Sequence, residues 1–471
     1  MSVGGNRMST RVRQGMRFGA LAAAVSATLL PAQGFAAGFA LLEQSASKLG
    51  TAFAGTGATT EDASVMYYNP AGLSELDAAQ FVAVGSGILI SSKFRNEQSQ
   101  PALGQPLGTN GGDAGDWNAV PSLYYARPVN ERLAFGIGFN VPFGLKLEYP
   151  NDWIGRYQAL NSEIQTYNFN PSLSWKVNDL VSLGVGVSFQ RLQAELTNAV
   201  NYTAVIGQVL GQLAEAEQLD PAMIPGLIAA NAGLDGYTRV RGHDTALGFN
   251  VGALFKLTPE TRLGIAYRSS VDYTAKGWVN FQAPVTTQPN GAAIIAAVSA
   301  DRLANGPVSV DLELPDSATL SLAHRIGDVE LLADVAWTGW SSVPELRVVR
   351  DGGEVLSVTP EDWHDTWRYA IGATYQLNEG LKLRAGVAYD EAPVPDSTRT
   401  PRLPDPDRTW VAIGAQWKYS DSLTIDAAYA HLFSDDVPLD QEHGSAAANA
   451  YLRGHQESAV DIVSVQVAYR F

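Results

Sequence analysis

Little in this sequence can do covalent chemistry. It contains no cysteine, which excludes disulfides, thiolate nucleophiles and thiolate metal sites. There is no G-x-S-x-G, no H-E-x-x-H and no phosphate-cradling Gly-Lys-Ser/Thr. Gly55-Thr56-Gly57 lacks the third glycine of a dinucleotide loop. The six histidines (His243, His324, His364, His431, His443, His455) fall singly. A lone histidine is more often a loop or interface residue than a ligand, so no metal and no cofactor are expected. A serine hydrolase needs Ser, His and an orienting polar group together. His431 and Ser434 are the nearest approach, a weak signal; no enzyme is expected, and an outer-membrane lipase or esterase is the alternative of another class. The residues whose spacing suggests a task are apolar. Ile206, Val209, Leu210 and Leu213 recur at helical spacing, followed by Leu219, Ile224, Leu227 and Ile228. A second helical run, Ala292–Leu303, carries Ile294, Ile295 and Val298. Both interrupt long connections between strands, where exposed apolar surface needs a reason. They pack on each other, or they form a groove that first catches an apolar ligand; the two readings are compatible.

The elements that carry these loops are strands. Val181, Leu183, Val185, Val187 and Phe189 alternate with Ser182, Gly184, Gly186, Ser188 and Gln190, and the runs at 381–390, 411–419 and 463–471 repeat the pattern. A period of two gives each strand one apolar and one small or polar face. A soluble sandwich would do the same; the connections distinguish the two. Tight turns at 128–131, 177–179, 258–260, 326–328, 378–380 and 419–422 alternate with long connections near 93–118, 144–163, 198–241, 277–310, 341–364, 391–407 and 434–457. Six short and seven long connections require fourteen strands. The fold class expected is all-β, a transmembrane antiparallel up-and-down barrel over 77–471, with short periplasmic turns and long extracellular loops. Aromatics near strand ends fit the interfacial girdles: Tyr124, Trp175, Tyr267, Tyr273, Trp337, Trp340, Trp367, Tyr369, Tyr375, Tyr389, Trp410, Trp417 and Tyr429. Charges on the alternate face (Glu330, Asp334, Lys382, Arg384, Asp426, Arg470) must point into the lumen. A midplane Arg on the lipid face would cost about 2–4 kcal/mol. Pro142, in Phe135–Gly144, cannot donate to a ladder, so the third strand either ends early there or bends inward and opens a gap.

Composition agrees. Of 471 residues, 46% are hydrophobic and only 17% charged, and the net charge of −16 argues against nucleic acid. Residues 1–36 read as a secretory signal peptide: Arg11, Arg13 and Arg17, an apolar run Phe18–Leu30, and the cleavage site Gly34-Phe35-Ala36. Residues 37–76 are rich in Ala, Gly, Ser and Thr and lack the alternation. About forty such residues cannot bury enough surface to fold alone. A fourteen-stranded barrel is wider than its inward side chains can fill, so this segment is expected as a plug in the lumen.

Several stretches, in order and over nearly all of the mature chain, resemble the FadL-type long-chain fatty acid transporters of Gram-negative outer membranes. They are Ala37-Gly38-Phe39, Asn69-Pro70-Ala71, Asp152–Tyr157, Asn170-Pro171-Ser172, Tyr267-Arg268-Ser269, Leu314-Pro315-Asp316, Trp337–Trp340, Pro393-Val394-Pro395 and Leu403–Trp410. The resemblance implies passive uptake of fatty acids or related hydrophobic compounds through a barrel with an N-terminal hatch. The ligand would be caught between the loops at 198–241 and 277–310, with Ile206, Val209, Leu210, Leu213, Ile294, Ile295 and Val298 lining the groove. It would pass to a pocket above the hatch, released by movement of Ala37, Gly38 and Phe39. Asn69, Pro70 and Ala71 would lie against a kink at Pro142 and Gly144, where the ligand leaves sideways. Arg156, Arg399 and Arg408 are cations that could hold a carboxylate or serve loop ion pairs. Relatives of this kind also import toluene-like hydrocarbons, which need no carboxylate site. The terminal Phe471 resembles the signal read by the barrel assembly machinery. Acidic loops could meet lipopolysaccharide through divalent cations, and a monomer is expected.

Overall fold

The structure, a computed structural model, describes residues 38–441 and 450–471. The leader expected over 1–36, with Ala37 and His443, lies outside the described residues. Fourteen antiparallel strands form one closed wall. The first seven are β1 (Gln80–Asn96), β2 (Trp117–Pro128), β3 (Leu133–Asn140, resuming as Gly144–Glu148), β4 (Asn161–Lys176), β5 (Val181–Asn201), β6 (Asp235–Lys256) and β7 (Thr261–Arg268 and Val271–Gln282). Then come β8 (Gly306–Leu314 and Ser317–Ile326), β9 (Val329–Thr338 and Glu345–Arg350), β10 (Val355–Pro360 and Thr366–Asn378) and β11 (Leu381–Asp390). The last are β12 (Arg408–Ser420), β13 (Leu423–Ser434 and Val437–Gln441) and β14 (Leu452–Arg470). β14 pairs with β1 from Gln80↔Arg470 to Asn96↔Gly454, which closes the barrel and leaves no free edge.

Alternation decides the two faces. Val185, Val187 and Phe189 are exposed on the outside of β5, whereas Ser182, Ser188 and Gln190 are buried inside. The strands reach further than the hydropathy pattern indicates. β5 and β6 pair without a break from Val181↔Phe255 to Asn201↔Asp235, and the region expected as a loop over 341–364 contains a hairpin of β9 and β10. Above the hydrocarbon, pairing no longer needs an apolar face, so alternation fades while the ladder continues. The loop helices are Tyr202–Glu215 and Pro289–Ser299. The aromatic list needs correction. Trp175, Trp367, Tyr369, Tyr375, Tyr389, Trp417 and Tyr429 are exposed outside, but Tyr124, Tyr273, Trp340 and Trp410 are buried inside. Their parity on the strand, and not their nearness to its end, sets which face they take.

Residues 38–76 lie against the lumen-facing side chains. A buried polar wall requires partners, and this segment supplies them. The Thr56 N–H donates to Asp334 at 2.7 Å, and Ser45 Oγ donates to Gln466 at 2.9 Å. Gln466 Nε2 donates to Asp62 at 2.8 Å. Glu61 receives Lys382 at 2.6 Å and Arg384 at 2.5 Å, and Arg384 also reaches Asp426 at 2.6 Å. Glu61 and Asp426 are matched by Lys382 and Arg384, whereas Asp62 and Asp334 are held by neutral donors. Small residues let backbone meet backbone. A Cβ on Gly386 of β11 would run into the Thr51 carbonyl, and one on Gly184 of β5 into Pro70 and Ala71. Next to Thr51, Ala52 and Phe53 hold φ values of 48° and 57°, a conformation that only firm surroundings maintain in L-residues. Gly386→Val is therefore expected to push the 50–53 turn off the wall while the barrel still forms. Bilayer recordings should give a larger single-channel conductance for this variant than for the unaltered protein, with the slow electrophoretic migration of a folded barrel retained.

Candidate functional site

The wall is not continuous. β2 and β3 pair from Pro128↔Ala134 to Leu123↔Phe139 and then separate. Pro142 has no N–H to give, and neither has Pro121, which the extrapolated register would set opposite Val141. Beyond the break β3 pairs with β4 alone, from Gly144↔Gln165 to Glu148↔Asn161. Val141, Phe143, Leu145 and Leu147 are buried. The Glu148 N–H donates to the Ala114 carbonyl at 3.0 Å, which bounds the opening above. The result is a window between β2 and β3; of the two readings that Pro142 leaves open, an early strand end or an inward bend, the strand takes the bend and resumes at Gly144.

The N-terminal segment fills this window. The Leu41 N–H donates to the Pro142 carbonyl at 2.8 Å, and the Gly144 N–H donates to the Phe39 carbonyl at 2.9 Å. Phe39–Leu41 thus takes part of the place a neighbouring strand would hold. Gln44 spans the rest. Its Nε2 donates to the Val141 carbonyl at 2.7 Å, and its Oε1 accepts from Ser122 Oγ at 2.7 Å and from the Val141 N–H at 3.3 Å. One side-chain amide therefore does for β2 and β3 what a peptide group does in an intact ladder. Thr166 of β4 completes the bend, accepting from the Phe143 N–H at 2.9 Å and donating back to the Phe143 carbonyl at 2.9 Å.

Phe39 sits in an aromatic box. Its ring centroid is 5.8 Å from Phe143, 5.2 Å from Trp340 and 5.8 Å from Trp363. Such tilted and edge contacts add about 0.5–1.5 kcal/mol each beyond burial. Trp340 and Trp363 reach inward because β9 and β10 are interrupted at 339–344 and 361–365. The Gly38 N–H donates to Asp405 at 2.7 Å, and Asp405 is paired with Arg408. Trp363 Nε1 donates to Glu361 at 3.0 Å. Burial pushes the Glu361 carboxyl up to about 7, against the bond from Trp363 and the attraction of Arg402.

Next to Phe39 lies a cavity of about 130 Å³. Leu41, Leu42, Phe53, Tyr67, Tyr68, Phe143 and Trp340 give it apolar walls. Arg268 and Arg368 bring cations into it. Arg268 Nη2 donates to the Tyr67 carbonyl at 2.7 Å and its guanidinium lies over the Tyr67 ring at 4.5 Å. Its Nη1 is buried and has no protein partner among the described residues. Arg368 Nη2 donates to the Ala52 carbonyl at 2.6 Å, and its Nε is likewise unpartnered. Asp334 and Asp390 line the cavity as well, so the Nη1 of Arg268 is the N–H best placed for the acidic head of a molecule whose tail meets the apolar walls.

The residues singled out from the sequence fall in three places. Gly38, Phe39, Pro142 and Gly144 meet at the window. Asn69, Pro70 and Ala71 do not lie against the kink as the resemblance implies. Asn69 Nδ2 donates to the Ala253 carbonyl of β6 at 3.0 Å and the Ala71 carbonyl accepts from Ser174 of β4 at 2.8 Å. The glycines opposite this turn, on β5 and β6, draw it there. Arg156, Arg399 and Arg408 do not line the cavity; they pair with Asp235, Asp396 and Asp405. In the loop helices, Ile206 and Leu210 are buried with Ile295 and Val298 in one cluster, and Val209 and Ile294 lie at its partly buried edge. Leu213 is half-buried on the same helix. Gln44, Arg268 and Arg368 were not singled out. Alternation could have placed Arg268 inside, because Ile265 and Tyr267 take the lipid face of β7; nothing local marks Gln44.

Comparison with known proteins fits this architecture. Residues 27–471 match the family model described as outer membrane protein transport protein (OMPP1/FadL/TodX). The chain is 27% identical over 430 residues to a long-chain fatty acid transport protein of Escherichia coli O6:H1, covering 90% of this chain and 93% of the relative. Among solved structures it is similar to a Pseudomonas aeruginosa FadL homologue, with a TM-score of 0.81 and 28% identity over 92% of this chain and all of the other. The Pseudomonas putida toluene transporter TodX shares the fold, with a TM-score of 0.65 at 18% identity over 93% of this chain and 99% of the other.

The raised Glu361 value carries a sign. A carboxyl with a folded value near 7 and an ordinary value of 4.5 weakens the fold as pH climbs through that interval, because the unfolded chain ionises first. Glu361→Gln removes the effect. Its thermal midpoint, measured against the unaltered protein, should rise more at pH 8 than at pH 4.5.

Proposed function

The chain belongs to the outer membrane protein transport protein family (OMPP1/FadL/TodX), and from that premise we propose that it carries long-chain fatty acids passively across the outer membrane. The observation that supports this reading best is the paired chemistry of the cavity: aromatic and leucine walls with the unsatisfied Nη1 of Arg268 among them. The tail of a fatty acid lies against Phe53, Tyr67, Tyr68 and Phe143, and its carboxylate meets Arg268 and Arg368. The exposed edge of the two loop helices is the first contact. Residues 38–76 act as the hatch, and their polar packing on the wall leaves an acyl chain no apolar route straight through the lumen. The window offers one. When Phe39 leaves its aromatic box, Phe39–Leu41 detaches from Pro142–Gly144 and the tail slides between β2 and β3 into the hydrocarbon. No energy source is needed, because each step exchanges one apolar contact for another.

Two measurements test this. In native mass spectrometry with competing oleate and toluene, Arg268→Met should weaken oleate about tenfold or more, as loss of a charge-assisted bond predicts, and leave toluene unchanged. Retention of toluene alone by the unaltered protein would replace the fatty acid with an aromatic hydrocarbon. Gln44→Leu strips Ser122 Oγ and the Val141 carbonyl of their partner and should loosen the window. Uptake of a fluorescent fatty acid by cells should then be faster than with the unaltered protein; equal or slower uptake would count against a lateral exit at this place.

A further inference from the structure

The outer wall of β4 to β7 has a feature that uptake does not use. Below, it is apolar: Phe169, Leu173 and Trp175 on β4, Leu183 to Phe189 on β5, and Leu247, Phe249 and Val251 on β6 are exposed. On β5 the apolar run from 181 to 189 spans about 27 Å of strand, or about 20 Å of height at a tilt near 40°. Arg191, the next outward residue, therefore stands where hydrocarbon gives way to head groups. Its row and the rows above it are polar. Gln193 is opposite His243, and Glu195 is opposite Arg241. Lys276 is opposite His243, and Trp278 is opposite Arg241. Together with Glu163 and Gln165 these residues line a groove of about 420 Å³, with Lys276 at its side, and a second groove of about 750 Å³ that shares Glu163, Glu195 and Arg241.

The cations here differ from others on the outer wall. Lys93 is paired with Asp113, Arg95 with Glu457 and Arg347 with Glu345. In the groove, Glu195 takes both Arg239, at 3.1 Å, and Arg241, at 2.6 Å. Arg191 and Lys276 have no carboxylate at ion-pair distance among the described residues, and both are exposed. Two unpaired cations beside an exposed tryptophan, on the lipid-facing wall of a chain with net charge −16, need a counter-charge from outside the protein. A soluble anion would use the cations only. An anion tethered to acyl chains also covers Phe189 and Leu247 directly beneath them.

We infer that this groove binds the phosphorylated sugar head of an outer-leaflet glycolipid, lipopolysaccharide in a Gram-negative membrane. Arg191 and Lys276 receive the phosphate through charge-assisted bonds. Trp278 lies along the sugar, Gln165 and Gln193 meet its hydroxyls, and the acyl chains run down over the apolar band. The acids Asp272, Asp311 and Glu313, on the outward positions of β7 and β8, mark the side on which phosphate is not accepted.

The test compares the full-length protein with an Arg191→Glu/Lys276→Glu double variant and with a Lys93→Glu control, all extracted from outer membranes in mild detergent. Glycolipid still bound after washing is read by native mass spectrometry. Delipidated protein is then titrated with bisphosphorylated lipid A, with its dephosphorylated form and with phosphatidylglycerol. The double variant should retain about fivefold less glycolipid or lower still, and the control should match the unaltered protein. Bisphosphorylated lipid A should bind more tightly than either other lipid. Equal retention by the double variant, or equal binding of the dephosphorylated form or of phosphatidylglycerol, would overturn the assignment. Oleate binding should stay unchanged throughout, so the result is independent of the uptake reading.

Discussion

A backbone amide at membrane depth has no water to turn to, so it must find a hydrogen bond inside the protein. A closed barrel meets this demand by pairing every strand, and here β14 returns to β1 to do so. Between β2 and β3 the wall parts where two prolines withdraw donors, Pro121 on β2 and Pro142 on β3. There the chain does not leave the remaining groups bare. Phe39–Leu41 offers its own backbone, Gln44 offers a side-chain amide and Thr166 offers a hydroxyl. The substitutes differ from a strand in one respect: two of the three belong to the N-terminal segment and not to the barrel wall.

That segment and the barrel depend on each other. Residues 38–76 have too few apolar groups to fold alone, and the lumen has too many polar groups to stay dry alone. Glu61, Lys382, Arg384 and Asp426 form one matched group across their boundary. Removing one member would strand a buried charge, which costs more than the pair contributes. The charged anchoring therefore sits at 45–62, and the contacts at 38–44 are the aromatic box of Phe39, backbone bonds, the Gly38 bond to Asp405 and the side-chain amide of Gln44.

Arg268 and Arg368 are the arginines that line the cavity. Each spends one N–H on a carbonyl of the inner segment, Tyr67 and Ala52, and keeps another unspent. Arg268 is held in place by the segment it faces, whereas Arg368 also stands opposite Asp390 of β11, which lines the same cavity. Arg156, Arg399 and Arg408 are paired with aspartates outside this cavity, although Arg399 Nε and Arg408 Nη1 are also buried without a protein partner among the described residues.

The sequence by itself determined the barrel, its strand number, the alternation of its two faces and a break in the third strand at Pro142, though not whether that strand ends or bends there. These follow from period-two alternation, from the rhythm of short and long connections and from the missing N–H of proline, all of them local properties. It did not determine which residues meet across the lumen. Trp340 and Trp363 enter the Phe39 box only because β9 and β10 break at the same height, and Gln44 reaches Ser122 and Val141 only once the barrel has closed around it. Asn69-Pro70-Ala71 rests on β4 to β6 and not on the kink because the glycines that admit it are there. Contacts of this kind join residues tens to hundreds of positions apart, so no local pattern encodes them, and only the closed tertiary structure decides them.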